Sequence, residues 1–437
     1  MDKLTRHPLY AKADALKRSF VINGFTLHDD GDASELQTTD WTISPYGKPE
    51  AIRMKPLILE KHGEYALRSE LIAGQLHTIK GSLPLRAICA GRVYDANDVP
   101  YADHLAIEGA IAAFDIAPRH LMSMWTSVVK QTYGMDASAE MVPENSTTFR
   151  VEATRGDDSF IFAYVGRAND IARALLGIDD AACAVWIFTI DVDSLVMHDL
   201  GLKDRSDLYN TNVTFLERFE DNVPAFGNTF RAMVVDTLRA HGFMEFSGAR
   251  LYREDAYLKM NMIMESWDLN NRGFFLKEPI GDIVRVPTVR TPALEDALEE
   301  NYKAGEKSVR IFEVGHHFVS DAQGRNPEEK ISLSIGAYGG DMDKVAFRQF
   351  VDAFLTDLGV NNHFFIPVDM AIPYDPSDCW ILMDEKMQYL GGNFGTINQI
   401  ALDRHELGVT AFMAQIELGP LEKKAEEEFN FIPSETF

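Results

Sequence analysis

At 437 residues the chain is long enough for two to three domains, since domains run about 100–200 residues. Its 46% hydrophobic and 25% charged residues sit at the globular average, which excludes a disordered chain, a collagen-like repeat and a disulfide scaffold. Lys and Arg total 42 against 67 Asp and Glu, a formal net charge of −25, and such a surface repels a nucleic-acid backbone unless its cations gather on one face.

Cys89, Cys183 and Cys379 are too few to staple a fold and too far apart for a paired zinc spacing. They read as reduced, core-type cysteines of a cytosolic chain. The opening MDKLTRHPLYAKADALKRSF lacks the apolar core of a secretory signal. The longest apolar stretch, residues 181–197, is interrupted by Asp191 and Asp193, so no helix there spans a bilayer. A cytoplasmic protein with no membrane or DNA partner is expected.

Leu9, Ala13, Leu16 and Phe20 place one apolar stripe on a first helix, stopped at Asn23-Gly24. Two β-like runs follow at 83–94 and 105–114, joined by a polar, turn-rich stretch at 95–104. Leu121, Trp125, Val128 and Val129 make a second amphipathic helix closed at Tyr133-Gly134. The run at 181–197 begins β-like and ends in a short helix stopped at Gly201. A charged, loop-like stretch at 203–222 precedes a second unit, which opens with the stripe Phe230, Met233, Val234 and Leu238, capped at Gly242. Strands are expected at 309–318 and 331–337, then a helix carrying Phe347, Phe350, Phe354 and Leu358. Further β-like runs at 380–388 and 410–418 lead to an acidic tail around Glu426–Glu428. Helices flanking antiparallel strands, given twice, predict an α+β chain with a boundary near 210–222.

Generic chemical signals are thin. His316-His317 invites a metal reading, but neighbours on a strand point to opposite faces, so no metal site is expected. Gly339-Gly340 and Gly391-Gly392 lack the strand–GxGxxG–helix context and read as turn glycines. Clustered basic residues with interleaved aromatics are missing.

The stretch LPLRAICAGRVY (83–94), a loop, and HLAIEGAIAAFD (104–115) resemble motif 2 of the phenylalanyl-tRNA synthetase α subunit. The opening HPLYAKADALKRSF…NGF is similar to the start of that subunit's core, and ALRSELIAGQ (66–75) to its LRTHTSPVQ segment. Residues 187–204 sit where motif 3 falls. GFMEF (242–246), VRTPALEDALEEN (289–301), IFEVG (311–315), DPSDCW (375–380) and the closing FMAQIELGPLE resemble the β subunit in order. The resemblance implies two class II synthetase-type antiparallel sheets with flanking helices: an α-like core at 1–210 and a β-like core at 222–437.

It also marks departures. A class II site holds ATP bent over the sheet, with motif 2 and motif 3 arginines on the phosphates, because the guanidinium fork pairs with phosphate oxygens. Here those positions fall on Asp95 and Ser194. A unit charge pair at ~4 Å is worth about 4 kcal/mol even at an effective dielectric of about 20, so exchanging Arg for Asp beside a polyanion implies a broken ATP site. The family's cofactors, ATP and magnesium, are therefore in doubt. The two pocket phenylalanines fall on Glu140 and Val142, the Glu-Pro-Ser on Glu144, Asn145 and Ser146, and the glycine floor on Gly166-Arg167. The Gln that reads the substrate amino group falls on Ala106, while its acidic neighbour is kept as Glu108. A cleft that loses stacking rings and gains charges should not prefer a benzyl side chain.

Two classes of function are left open. In one, a synthetase paralogue binds a small polar, amino-acid-like substrate and performs altered ligase or acyl-transfer chemistry. Glu108 would hold the amino group, Arg68, Gln75, Val142 and Ser146 would line the pocket, and Glu140 and Arg167 would set specificity. In the other, the fold is kept as a non-catalytic ligand-binding or regulatory protein. Charging of tRNA is a third reading, set against the net charge and the short motif 2 loop. A homo-oligomer is compatible with all three.

Overall fold

The computed structural model describes residues 5–30, 34–39, 44–49, 53–60, 63–79, 83–97, 102–219, 223–227, 229–259, 273–320, 326–369 and 373–429. Residues 8–208 form one compact unit, and residues 209–429 with residues 5–7 form a second. Of the polar and charged stretches expected as loops, residues 98–101 and 220–222 lie outside the described residues.

The first unit opens with α1 (Pro8–Ile22), whose Leu9, Ala13, Leu16 and Phe20 are buried as their spacing requires. Gly24 ends it at φ +80°, where a side chain would be strained. Strand β1 (Thr26–Asp30) follows, then β2 (Leu36–Thr38), β3 (Leu57–Ile58) and β4 (Tyr65–Leu67), which make a small sheet of their own. After the short helix α2 (Leu71–Gln75), the expected runs appear as β5 (Leu85–Tyr94) and β6 (Asp103–Phe114). Then come α3 (Pro118–Tyr133), the meander β7 (Ser138–Pro143), β8 (Thr148–Arg155) and β9 (Asp158–Arg167), and α4 (Asp170–Leu175). The run at 181–197 divides as expected into β10 (Cys183–Asp191) and α5 (Val192–Leu200), ended by Gly201 in the left-handed region. The strand order is β1-β5-β6-β10-β9-β8-β7, antiparallel except where β1 runs parallel to β5.

Alternation gives this sheet two different faces. On one, Phe188 meets Phe20, Phe25 and Trp125 with ring centroids 5.2, 6.0 and 5.0 Å away. On the other, the cross-strand row Cys89–Glu108–Thr189 lies among Ala106, Ala110, Ala112 and Ile187. These small side chains leave room above the sheet, and Tyr46, Leu71, Ile72, Leu76 and Ile79 pack into it.

The second unit contains α6 (Val213–Leu216), α7 (Phe230–Ala240), β11 (Met244–Glu245), β12 (Tyr252–Arg253), α8 (Ala256–Lys259), β13 (Phe275–Ile280) and β14 (Ile283–Arg285). It continues through α9 (Thr291–Lys303), β15 (Ser308–Ser320), β16 (Pro327–Gly339), α10 (Lys344–Asp357), β17 (His363–Pro367), β18 (Tyr374–Asp384), β19 (Tyr389–Ile397), α11 (Gln399–Arg404), β20 (Ala411–Glu417) and α12 (Leu418–Phe429). Its large sheet runs β11-β15-β16-β20-β19-β18-β17, again with only the first strand parallel to its neighbour. The helix stripe Phe347, Phe354 and Leu358 is buried against Phe394 and Phe412.

The α+β class with two antiparallel cores holds, with a parallel edge strand in each sheet that the pattern did not reveal. Gly339-Gly340 do make a turn, both at positive φ, but Gly391 and Gly392 lie inside β19. Gly391 stands at φ +78° inside the strand, and a Cβ there would also come within 3.0 Å of Glu417 and 3.1 Å of Pro420, so left-handed backbone and close approach to the α12 start, rather than a turn, require glycine. His316 and His317 are both buried on β15; His316 Nδ1 lies 2.5 Å from Glu329, and burial drives the His317 imidazole down to about 3. All three cysteines are free and buried. Among the described residues no helix is long and apolar enough to cross a membrane.

Candidate functional site

In the first unit a cavity of about 810 Å³ opens at the ends of β6, β9 and β10, lined by residues that include Arg53, Asp95, His104, Tyr164, Thr189, Asp191, Ser194, His198 and Arg205. The two positions where motif arginines were expected both reach it, but each is occupied locally. Asp95 Oδ1 accepts the Lys55 and Asn97 amides at 2.8 and 2.9 Å, fixing the turn after β5. Ser194 donates from its amide and hydroxyl to Asp191, at 3.0 and 2.7 Å, which makes Asp191 the N-cap of α5. Burial would raise the Asp191 carboxyl, but His104, Arg205 and the Ser194 hydrogen bonds hold it below the ordinary range. Arg205 Nη2 lies 3.6 Å from Asp191, and Arg53 Nε donates to the Lys48 carbonyl at 3.1 Å. His198 Nε2 is 2.9 Å from Asp158.

Behind Thr189 the cavity wall hides a buried charge cluster. Glu108 Oε2 accepts the Leu71 and Ile72 amides at 2.9 and 3.0 Å, so it sits at the start of α2. Its Oε1 accepts the Thr189 hydroxyl at 3.2 Å and faces Lys48 Nζ at 3.5 Å. Lys48 Nζ is also 3.0 Å from Glu70 Oε1. Lys48, Glu70 and Glu108 are all buried. Burial raises the Glu70 carboxyl to about 8, against the pull of Lys48 and with the push of Glu108.

The remaining expected pocket residues are scattered. Arg68 is buried and donates to the Arg92 carbonyl at 2.7 Å and to Asp29 and the Ser34 carbonyl at 3.3 Å each. Gln75 accepts the Thr78 hydroxyl at 2.9 Å, a local turn contact. Glu140 is exposed on the edge strand β7 opposite Glu152, and Val142 stands opposite Arg150. Ser146 is exposed in the turn between β7 and β8. Arg167 is exposed at the end of β9, its guanidinium 5.2 Å from the Trp186 ring. The structure therefore brings Asp95 and Ser194 to the cavity and Glu108 behind its Thr189 wall, while Glu140 and Arg167 make no ion pair with each other among the described residues.

The residues that sequence reasoning missed are Lys48, Tyr46 and Glu70 behind the wall and Arg53, Arg205, His104 and His198 on it. Only SPYGKP (44–49), a polar stretch punctuated by two prolines, offered a signal, and its composition reads as an ordinary loop.

Comparison with known proteins gives this arrangement a lineage. Residues 1–219 match the family model described as tRNA synthetases class II core domain (F), and residues 223–418 match the one described as phenylalanyl tRNA synthetase beta chain CLM domain. The phenylalanine–tRNA ligase alpha subunit of Caldanaerobacter subterraneus is 22% identical over 237 residues, which cover 49% of this chain and 69% of that protein. The beta subunit of Clostridium tetani is 24% identical over 162 residues, 36% of this chain and only 20% of that protein. A solved pyrrolysyl-tRNA synthetase from Desulfitobacterium hafniense is 14% identical at a TM-score of 0.37, covering 50% of this chain and 78% of that one.

Proposed function

The chain belongs to the class II tRNA synthetase core family of the phenylalanyl type, and from that premise we propose that its first unit is a synthetase-derived site for a small zwitterionic ligand of amino-acid type. One observation carries the reading: the cavity is balanced in charge. Arg53 and Arg205 supply two cations, and Asp95 and Asp191 supply two anions. A zwitterion would find a cation and an anion for its two ends among them, with Arg53 and Asp95 outside the Arg205–Asp191 contact.

ATP and magnesium, which the lineage implies, do not fit the same lining. One arginine already faces Asp191, and the carboxylates of Asp95 and Asp191 would repel a polyphosphate. No step is drawn through a nucleotide. A second reading, acyl-transfer chemistry on the bound ligand, is favoured by His198, which lines the cavity and is held by Asp158 at 2.9 Å. An imidazole oriented by a carboxylate is the arrangement of a general base.

A thermal-shift screen of the standard amino acids and ATP tests the proposal. We expect at least one amino acid to raise the melting temperature and ATP to leave it unchanged. Pyrophosphate exchange into ATP in the presence of phenylalanine would overturn it.

A further inference from the structure

The second unit carries a polar cluster that the functional reading does not use. Three acids of α9 supply most of it. Glu295 and Glu299 stand one turn apart and Asp296 three residues before Glu299, so the helix sets all three toward one side. His405, which caps the end of α11, is buried among them. Its Nδ1 lies 2.7 Å from Glu299 Oε2 and 3.7 Å from Asp296 Oδ1, and its Nε2 lies 2.9 Å from Glu295 Oε2.

One oxygen each of Asp296 and Glu299 and one nitrogen of His405 all lie within 4.8 Å of one another. A tetrahedral ion with bonds of about 2.0–2.2 Å spaces its ligands about 3.4 Å apart, a value that the 2.7 and 3.7 Å separations bracket. Lys303 takes the other Glu299 oxygen at 2.5 Å. The Lys259 ammonium stands 3.5 Å from both Asp296 and Glu299 Oε2, farther than a good hydrogen bond, so it neutralises the two acids only loosely. Glu295 is the second sign of a missing partner. It is fully buried, yet its Oε2 makes no directed hydrogen bond to His405, and its Oε1 has no partner among the described residues. Folded cores rarely leave a buried carboxylate so poorly bonded.

We propose that Asp296, Glu299 and His405 form a zinc site, with Glu295 as the group that orients the imidazole. A metal on Nδ1 leaves the ring proton on Nε2, facing the buried Glu295 carboxylate, and an outer carboxylate in that place aligns a ligating histidine. One imidazole with two carboxylates suits zinc, whereas magnesium and calcium take oxygen ligands. Asp296 is half-exposed and Lys259 more than a third exposed, so the ion arrives from solvent as the lysine swings out, and water completes its coordination. The site ties α9 to the end of α11 and is independent of the reading of the first unit.

Calorimetric titration of the metal-stripped full chain with zinc ion is the test, with magnesium ion as the control. Wild type should take up one zinc ion, and magnesium should not compete for it. Asp296→Asn and Glu295→Gln should each weaken zinc binding at least tenfold. Lys259→Met, which removes the competing ammonium from a partly exposed position, should tighten it several-fold, a response that a network of ion pairs alone would not give. If Glu295→Gln fails to fold, the comparison of Asp296→Asn with Lys259→Met decides. No zinc uptake by wild type would overturn the proposal. So would equal zinc affinity across wild type and the folded variants, which would mark adventitious binding elsewhere on the acidic surface.

Discussion

The two large sheets share one strand order, yet the acid buried on each is held in opposite ways. On the first, Glu108 and Glu70 share one lysine, whose closest contact is 3.0 Å. On the second, Glu313 accepts the Gly248 amide at 2.8 Å and is gripped by Arg250 at 3.2 Å and Arg290 at 2.5 Å. Burial would raise the Glu313 carboxyl, but the two arginines hold it low. An arginine fork fixes direction as well as charge, whereas an ammonium on a flexible stem is a point charge. The second sheet's acid is held by two directional forks, the first sheet's pair by a single point charge.

Breaking each cluster should expose that difference. Glu313→Ala leaves two buried guanidinium groups without their carboxylate, and we expect a loss of about 3–5 kcal/mol or more in urea unfolding. Lys48→Met should cost less, about 2 kcal/mol, because the stranded Glu70 can keep a proton and so avoid a buried charge. Equal losses would erase the contrast.

The pH dependence should split the same way. Glu70 has its folded value raised from 4.5 to about 8, so the folded state binds the extra proton between those limits, and stability falls as pH rises through them. His317 has its folded value lowered from 6.5 to about 3, so the unfolded state binds the extra proton there, and stability falls as pH drops below 6.5. Each slope is at most about 1.4 kcal/mol per pH unit. Glu70→Gln should remove the fall in stability between pH 4.5 and about 8, and His317→Asn the fall between pH 6.5 and about 3, the two opposing each other where the windows overlap, as read from urea midpoints across pH. The smallest effect is expected from Tyr46→Phe, which removes an unpaired buried hydroxyl and should stabilise the first unit by about 1 kcal/mol.

The fold was legible wherever burial imposed a period. Leu9 to Phe20, the strands around Glu108, and the strand-to-helix switch at Asp191 all stand close to where spacing put them. The meander β7–β9 was not read, although TFRVEA (148–153) alternates and FIFAYV after Gly156 is a strand signal; only the edge strand β7, with Ser138 and Glu140 exposed, gives up its pattern to solvent. Of the motif positions legible in the sequence, Asp95 and Ser194 line the cavity and Glu108 lies behind its wall. The other residues behind that wall were not legible. Lys48 and Tyr46 come from a loop whose ends carry no periodicity, and only the third dimension brings them to carboxylates 22 and 60 residues further along the chain.

Gly166 acquires a consequence from the ring that rests on it. Adding one methyl group at that position would contest the space Tyr46 fills, with the sheet hydrogen bonds to Thr148 and Ile187 left intact. The packing of Tyr46 on the sheet is therefore one codon away from being displaced.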